Sequence, residues 1–212
     1  MDRRRRERPS RPAPRRLTAA VGDLAEAIAG LLSGDERRAE AAAASLPSLG
    51  AEALIRLTGL TRSTDPEARW WATRALSGFA DAAAVMAVLA RLSDPEPAVR
   101  QCAAIGLRLQ PSTVSLPALA RALFDDDALV ARLAADALAA AGPHAVPHLR
   151  SALQSGSRRA RLEAARALAG LRHHSAVPAL YAALDDPSPL VQHWAEQGLE
   201  ALGMGMVYFS PG

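Results

Sequence analysis

A chain of 212 residues, half of them hydrophobic but only 4% aromatic, is long enough to bury a substantial core, and its alanine-rich mix favours closely packed helices over sheet. The single cysteine, Cys102, excludes an intramolecular disulfide and fits a reducing compartment; no apolar run is long enough to span a membrane, and the N-terminal arginines lead into no apolar stretch of a secretory signal. The formal charge of +3 is uneven, with eight basic and two acidic residues in 1–16 against 17 and 20 in the remainder, so the expectation is a cytoplasmic protein with a mildly acidic body and a basic tail. Every basic residue is arginine, which beside so much alanine matches a GC-rich coding sequence.

Residues 1–16, MDRRRRERPSRPAPRR, are arginine-rich and broken by proline, a composition that predicts disorder and a capacity for phosphate contacts. Residues 17–32 carry Leu24, Ala27, Ile28 and Leu31 at helical spacing and read as a capping helix. From there to residue 203 the pattern alanine, any, any, small, leucine recurs, its leucine at Leu46, Leu76, Leu107, Leu138, Leu168 and Leu199, with spacings of 30, 31, 31, 30 and 31. A period near thirty marks stacked supersecondary units.

Each unit has two helical halves. In the third, Val99, Cys102, Ala103, Gly106 and Leu107 form one apolar stripe, and Asp94 with Pro95 reads as the turn and capping signal that starts the helix, as do Asp186 and Pro187 later. The second halves read LPALARAL at 116–123, VPHLRSAL at 146–153, VPALYAAL at 177–184 and, more loosely, VMAVLARL at 85–92. Small residues at Ala72, Ala103, Ala134, Ala164 and Ala195 allow close helix approach. One pair cannot bury its stripe alone, so the pairs must stack into a continuous core. The expected fold is all-α: a right-handed α-solenoid of about five and a half antiparallel helix pairs with a 30–31-residue period. Residues 204–212, MGMVYFSPG, are too apolar for a free tail and are expected to fold back over the last pair.

The elements DPEPAVR with CAAIGL, AVPHLRSAL, SAVPALYAALDD and DPSPLVQHWAEQGLEALG resemble HEAT-like repeats of the phycobilisome-lyase type over about residues 33–203. The resemblance implies an armadillo-like solenoid and a family of scaffolds, bilin lyases and other enzymes. A di-iron hydroxylase of this fold would need repeated His-Glu pairs, and none of the five histidines here is followed by glutamate. His144, His148 and His174 share one register but gain no Cys or carboxylate there, so they read as turn residues rather than ligands of a metal. Cys102 reads as core, and the Asp125–Asp126–Asp127 run as a solvated turn. No catalytic, cofactor or metal residue is assigned.

What the resemblance leaves is a binding surface. The second helices of such stacks line the concave side, where Arg91, Arg121, His148, Arg150 and Tyr181 form a mildly basic, partly aromatic lane suited to an acidic protein segment. Arg69 and Arg100 read instead as internal partners of the acidic turns. Adjacent Trp70 and Trp71 must point different ways; Trp71 falls in register with Cys102 and is expected to be structural, while Trp70 is expected to be exposed and available to a partner. Tyr208 and Phe209 are further candidate contacts. The expected function is a non-catalytic protein-binding scaffold or adaptor with no cofactor. Two alternatives stay open: a bilin-lyase-like or chaperone-like subunit acting on a chromophore protein, and nucleic-acid binding through the arginine tail.

Overall fold

The computed structural model describes residues 14–204 apart from Gly156, and within them every regular element is a helix. Helix α1 (Pro14–Leu31) precedes five pairs: α2 (Glu36–Ser45) with α3 (Ala51–Leu60), α4 (Pro66–Leu76) with α5 (Ala82–Ala90), α6 (Pro97–Leu109) with α7 (Leu116–Ala122), α8 (Ala128–Ala140) with α9 (Val146–Leu153), and α10 (Arg158–Leu171) with α11 (Val177–Ala183). Helix α12 (Pro189–Ala201) follows as the last half-pair described. The helix α1 begins inside the segment read as a tail; the rest of that tail lies outside the described residues.

The helices start where the sequence gives them caps. Asp35, Asp65, Asp81 and Asp127 stand immediately before α2, α4, α5 and α8, and each carboxylate accepts a backbone N–H from the first turn. Proline occupies the first turn of α7, α9 and α11, where its missing N–H costs nothing. First helices pack on first helices in one layer, and each second helix packs most closely on the first helix of the following pair to make the other. The recurring leucines Leu46, Leu76, Leu107, Leu138, Leu168 and Leu199 are all buried, as are Ala72, Ala103, Ala134, Ala164 and Ala195. Helix backbones approach closely at Gly198, where a Cβ would lie 2.9 Å from Ala169 Cα and from a Leu180 methyl.

Asp65 with Pro66 does cap α4, but the Asp94–Pro95 and Asp186–Pro187 turns do a different job from the one their sequence signals. Asp94 does not cap α6, which begins at Pro97 after Glu96. Its carboxylate is buried and accepts a two-pronged bond from the Arg69 guanidinium, Nε to Oδ2 at 2.9 Å and Nη2 to Oδ1 at 2.8 Å. Arg69 Nη1 also donates to the carbonyls of Ser63 and Thr64, ahead of its own helix. The same rung recurs one unit on, where Arg100 binds Asp125 and the carbonyl of Asp94. It recurs again where Arg161 binds Asp186 and the carbonyl of Ser155. Asp186 likewise leaves α12 to start after Ser188, whose N–H it accepts at 2.9 Å. Each arginine thus ties its own leading turn to the next one.

Burial opposes ionisation of Asp94, but the Arg69 hydrogen bond, the Glu96 backbone N–H and the charges of Arg69 and Arg91 outweigh it and hold the carboxyl below its ordinary value. A depressed native pKa means that this stabilisation is fully present above the unfolded value of about 3.9 and is lost as pH falls through the lower native value. Asp94→Ala is expected to cost about 3–5 kcal/mol by leaving Arg69 buried without its partner, measured by urea unfolding at neutral pH. The gap between variant and parent should narrow as the pH is taken below that of the native carboxyl.

Two glycines should respond oppositely to the same change. Gly198→Ala forces α12 off α10 and is expected to cost about 1–3 kcal/mol. Gly170→Ala, with nothing within 4 Å of its new Cβ, should stabilise α10 by about 0.4–1 kcal/mol. Thermal melts of the two variants check both signs.

Candidate functional site

Residues one repeat apart fall into rows across the second helices. Ile55, Met86, Pro117, Pro147 and Pro178 form an exposed row, at mid-helix in α3 and α5 and in the first turn of α7, α9 and α11. One turn further on, Thr58, Leu89, Ala120, Arg150 and Tyr181 form a second row, flanked by exposed Gly59, Ala90, Arg121, Ser151 and Ala182. The rows result from the repeat itself, because a constant period places equivalent residues of stacked helices side by side. The face is apolar over α3 and α5, where Ile55 is 70% and Met86 52% exposed, and basic and aromatic over α7, α9 and α11.

The sequence-derived candidates divide on this surface. Arg121, Arg150 and Tyr181 are exposed along it, and His148 is half-buried beside them. Tyr181 reaches the Met204 carbonyl at 3.5 Å, so the chain leaves α12 next to this face. Arg91 is a correction: it shares a row with buried Ala122, Ala152 and Ala183 rather than with the lane. Its side chain therefore runs into the seam, where Nη1 donates to the Thr61 carbonyl at 2.8 Å and to Asp94 at 3.3 Å. Trp70 is a second correction. It is half-buried against the core, edge-on to Trp71 with ring centroids 4.7 Å apart and planes at 88°. An edge-to-face pair needs the two rings close together, so Trp70 is drawn inward by its neighbour. Tyr208 and Phe209 lie outside the described residues. Sequence reasoning missed Ile55 and Met86; the signal was their register with the first-turn prolines, which are exposed.

Between α9 and α11 lies a cleft of roughly 210 Å³, lined by Leu153, Pro178, Ala179, Ala182 and Ala183, with Arg150, Gln154 and Asp186. Ala179, in its wall, occupies the row position that His148 fills one unit earlier.

Chemistry elsewhere is consumed by structure. Asp125 receives Arg100, Asp127 caps α8 and receives Gln101, and the carbonyls of Asp125 and Asp126 accept Arg159. The acidic run is therefore a bonded inter-repeat turn rather than a freely solvated one. The backbone N–H of Val130 and the Gln101 amide hold Asp127 below the usual carboxylate range. Among the described residues no three His, Cys, Asp or Glu side chains converge where they could hold a metal ion, and no helix is long and apolar enough to cross a membrane. Cys102 is buried, its sulfur 3.8 Å from the Trp70 carbonyl oxygen, and burial pushes its thiol up to about 12.

A model of the HEAT-repeat family matches residues 53–139 and 117–200. No curated protein matches the chain. Among solved structures, YibA of Escherichia coli is similar at a TM-score of 0.56 and 17% identity, over 91% of this chain and 77% of that one. The complex of CpcE and CpcF of phycocyanin lyase from Nostoc sp. PCC7120 is similar at 0.51 and 21%, over 96% and 82%. An engineered protein is similar at 0.50 and 24%, over 86% and 99%. At such identities the likeness is one of fold.

A thiol with so high a pKa has almost no thiolate at pH 8. Cys102 is expected to react with a thiol reagent in the folded protein at least about a hundredfold more slowly than in urea, followed by absorbance.

Proposed function

The chain belongs to the HEAT-repeat family, and from that premise we propose that it acts without catalysis as a scaffold or adaptor in the cytoplasm, holding another protein against its second-helix face. The observation that carries this reading is the continuous run of exposed side chains across the second helices, and not a lack of exposure elsewhere, since Arg108, Leu109, Leu129 and Arg132 are exposed on first helices too. On the first-helix layer Arg69, Arg100 and Arg161 are locked in rungs, Arg74 pairs with Glu40, and Arg166 bridges Asp136 and Glu163. On the second-helix face Arg121 and Arg150 are exposed and have no ion-pair partner among the described residues, and Ile55, Met86 and Tyr181 stand beside them in water. Apolar and cationic groups exposed on one continuous face support protein binding more than simple solvation. A repeat array offers such a face at little cost, because only the buried positions are needed for the fold.

Blocking the face with bulk tests the reading. Ser151→Trp and Ala182→Trp are exposed lane positions, and Ala98→Trp is an exposed control on the first-helix layer; each should alter stability by no more than about 0.5 kcal/mol. The tagged full chain is used to capture partners from its source cells, with identification by mass spectrometry. The lane variants are expected to lose specific partners that the parent and Ala98→Trp retain. Capture unaffected by the lane variants, or abolished by the control instead, would overturn the proposal.

A further inference from the structure

We infer that the segment held on this face is an extended, acidic stretch of a partner protein, anchored by an apolar side chain in the α9–α11 cleft. The inference rests on the scaffold reading and specifies the chemistry of its ligand. Charge is the first argument. Within the second helices α3 to α11 the charged side chains are Arg56, Arg121 and Arg150, against Glu52 alone. Arg121 and Arg150 lie on neighbouring helices at adjacent rows, unpaired among the described residues. A guanidinium left free on a surface otherwise made of alanine, proline and serine is matched by a carboxylate, to which its fork is geometrically suited.

The cleft gives the second argument. Its walls are the apolar groups of Leu153, Pro178, Ala179, Ala182 and Ala183, and its volume of roughly 210 Å³ is several times the ~30 Å³ of one water. Asp186 faces it but is already committed, accepting from Arg161 Nε at 2.8 Å and from the Ser188 N–H at 2.9 Å. The cleft is therefore suited to an apolar side chain and offers no free anion to a cationic one. Arg150, on its rim, places a positive charge immediately beside that anchor.

Spacing gives the third. Adjacent helices lie about 8–10 Å apart, and a polyproline II strand has three residues per turn at about 3.1 Å each, which sets every third side chain on one side at about 9 Å. A segment crossing the array in that form meets Arg150 and then Arg121 with residues three apart. The anchor falls one or two positions before the first acidic residue. Past Arg121 the strand reaches α5 and α3, where half-buried Leu89 and exposed Met86 and Ile55 receive a second apolar residue. The pattern is apolar, then acidic, any, any, acidic, then apolar. A nucleic acid is the poorer fit: the lane holds few cations, and Tyr181 is the only exposed aromatic side chain on its described second helices, far from a stacking platform.

The test is a selection from a randomised peptide library, of about twelve residues per member so that each can span four helices, on the immobilised full chain. The expected result is a consensus with two acidic residues three positions apart and an apolar residue just before them. A synthetic consensus peptide should bind with strong salt dependence, and Arg121→Glu or Arg150→Glu should each weaken it by about tenfold or more. Both substitutions are at exposed positions, and circular dichroism melts check that the fold is kept. A consensus without acidic residues, no selectable peptide, affinity indifferent to both charge reversals, or tighter binding of single-stranded oligothymidine to the same face would overturn the inference. Its failure is separable from that of the scaffold reading, because capture of a partner sensitive to Ser151→Trp and Ala182→Trp would still stand.

Discussion

A stack of short helix pairs has no distant contacts to fix its shape, so each unit must be held in register by its neighbours alone. Alanine and leucine supply the cohesion here but not the register, because an apolar seam of small, similar residues tolerates sliding. The arginine–aspartate rung supplies what the seam lacks. A planar guanidinium gripping a carboxylate by two parallel bonds has one good geometry. Arg69 uses its remaining nitrogen on the carbonyls of its own leading turn, so one side chain fixes the turns on both sides of a repeat. Relative to apolar packing such a buried pair adds little net stability, yet removing half of it is costly. Its contribution in this chain is to select one stacking over its alternatives.

Between α4 and α10 the rung is absent once, and absent on both sides. In the fourth unit Ala131 stands where Arg100 and Arg161 stand in theirs, and Ser155 stands where the acceptor aspartate belongs. Ser155 Oγ is buried with no hydrogen-bond partner among the described residues, a residual cost of that vacancy. The carbonyl of Asp125, which an arginine at 131 would have bound, is taken by Arg159 from the following first helix. The turn stays bonded, but from the other direction and at an exposed site. This junction depends more on apolar packing than the junctions around it.

Much of this was legible in the sequence, and the part that was not has a physical cause. Periodicity located the units because a buried leucine every turn of the solenoid cannot be replaced without cost, and all six recurring leucines are buried. It also separated Arg69 and Arg100 from the lane. Asp94 was misread because a cap and an asparagine-like turn carry the same dipeptide; only the helix starting at Pro97 distinguishes them. Arg91 was misplaced because a charge was assumed to face water, whereas its row is the one occupied by buried alanines, and a long side chain can lie along an apolar seam and bond at its tip. Trp70 was placed by its pointing away from Trp71, but an aromatic neighbour creates its own local contact that register does not encode. Ile55 and Met86 were passed over because apolar residues in a helix are assumed to face inward.

Trp70 is a side chain whose direction is decided by one neighbour, whereas Arg91, Ile55 and Met86 follow their rows, and the same distinction bears on function. Positions that every unit shares are spent on stacking, so they cannot carry specificity. Whatever distinguishes one stretch of the second-helix face from another must lie at row positions where the repeat is broken: Arg150 and Tyr181 against Ala120, Arg121 against Ala90, Ala179 against His148. The breaks cluster over α7, α9 and α11, and the cleft lies between α9 and α11. Selectivity for a partner is therefore expected to reside in the C-terminal half of the array. The N-terminal half, with its smoother apolar rows at Ile55 and Met86, adds contact area with less discrimination, as a hydrophobic surface does when it lacks directional bonds.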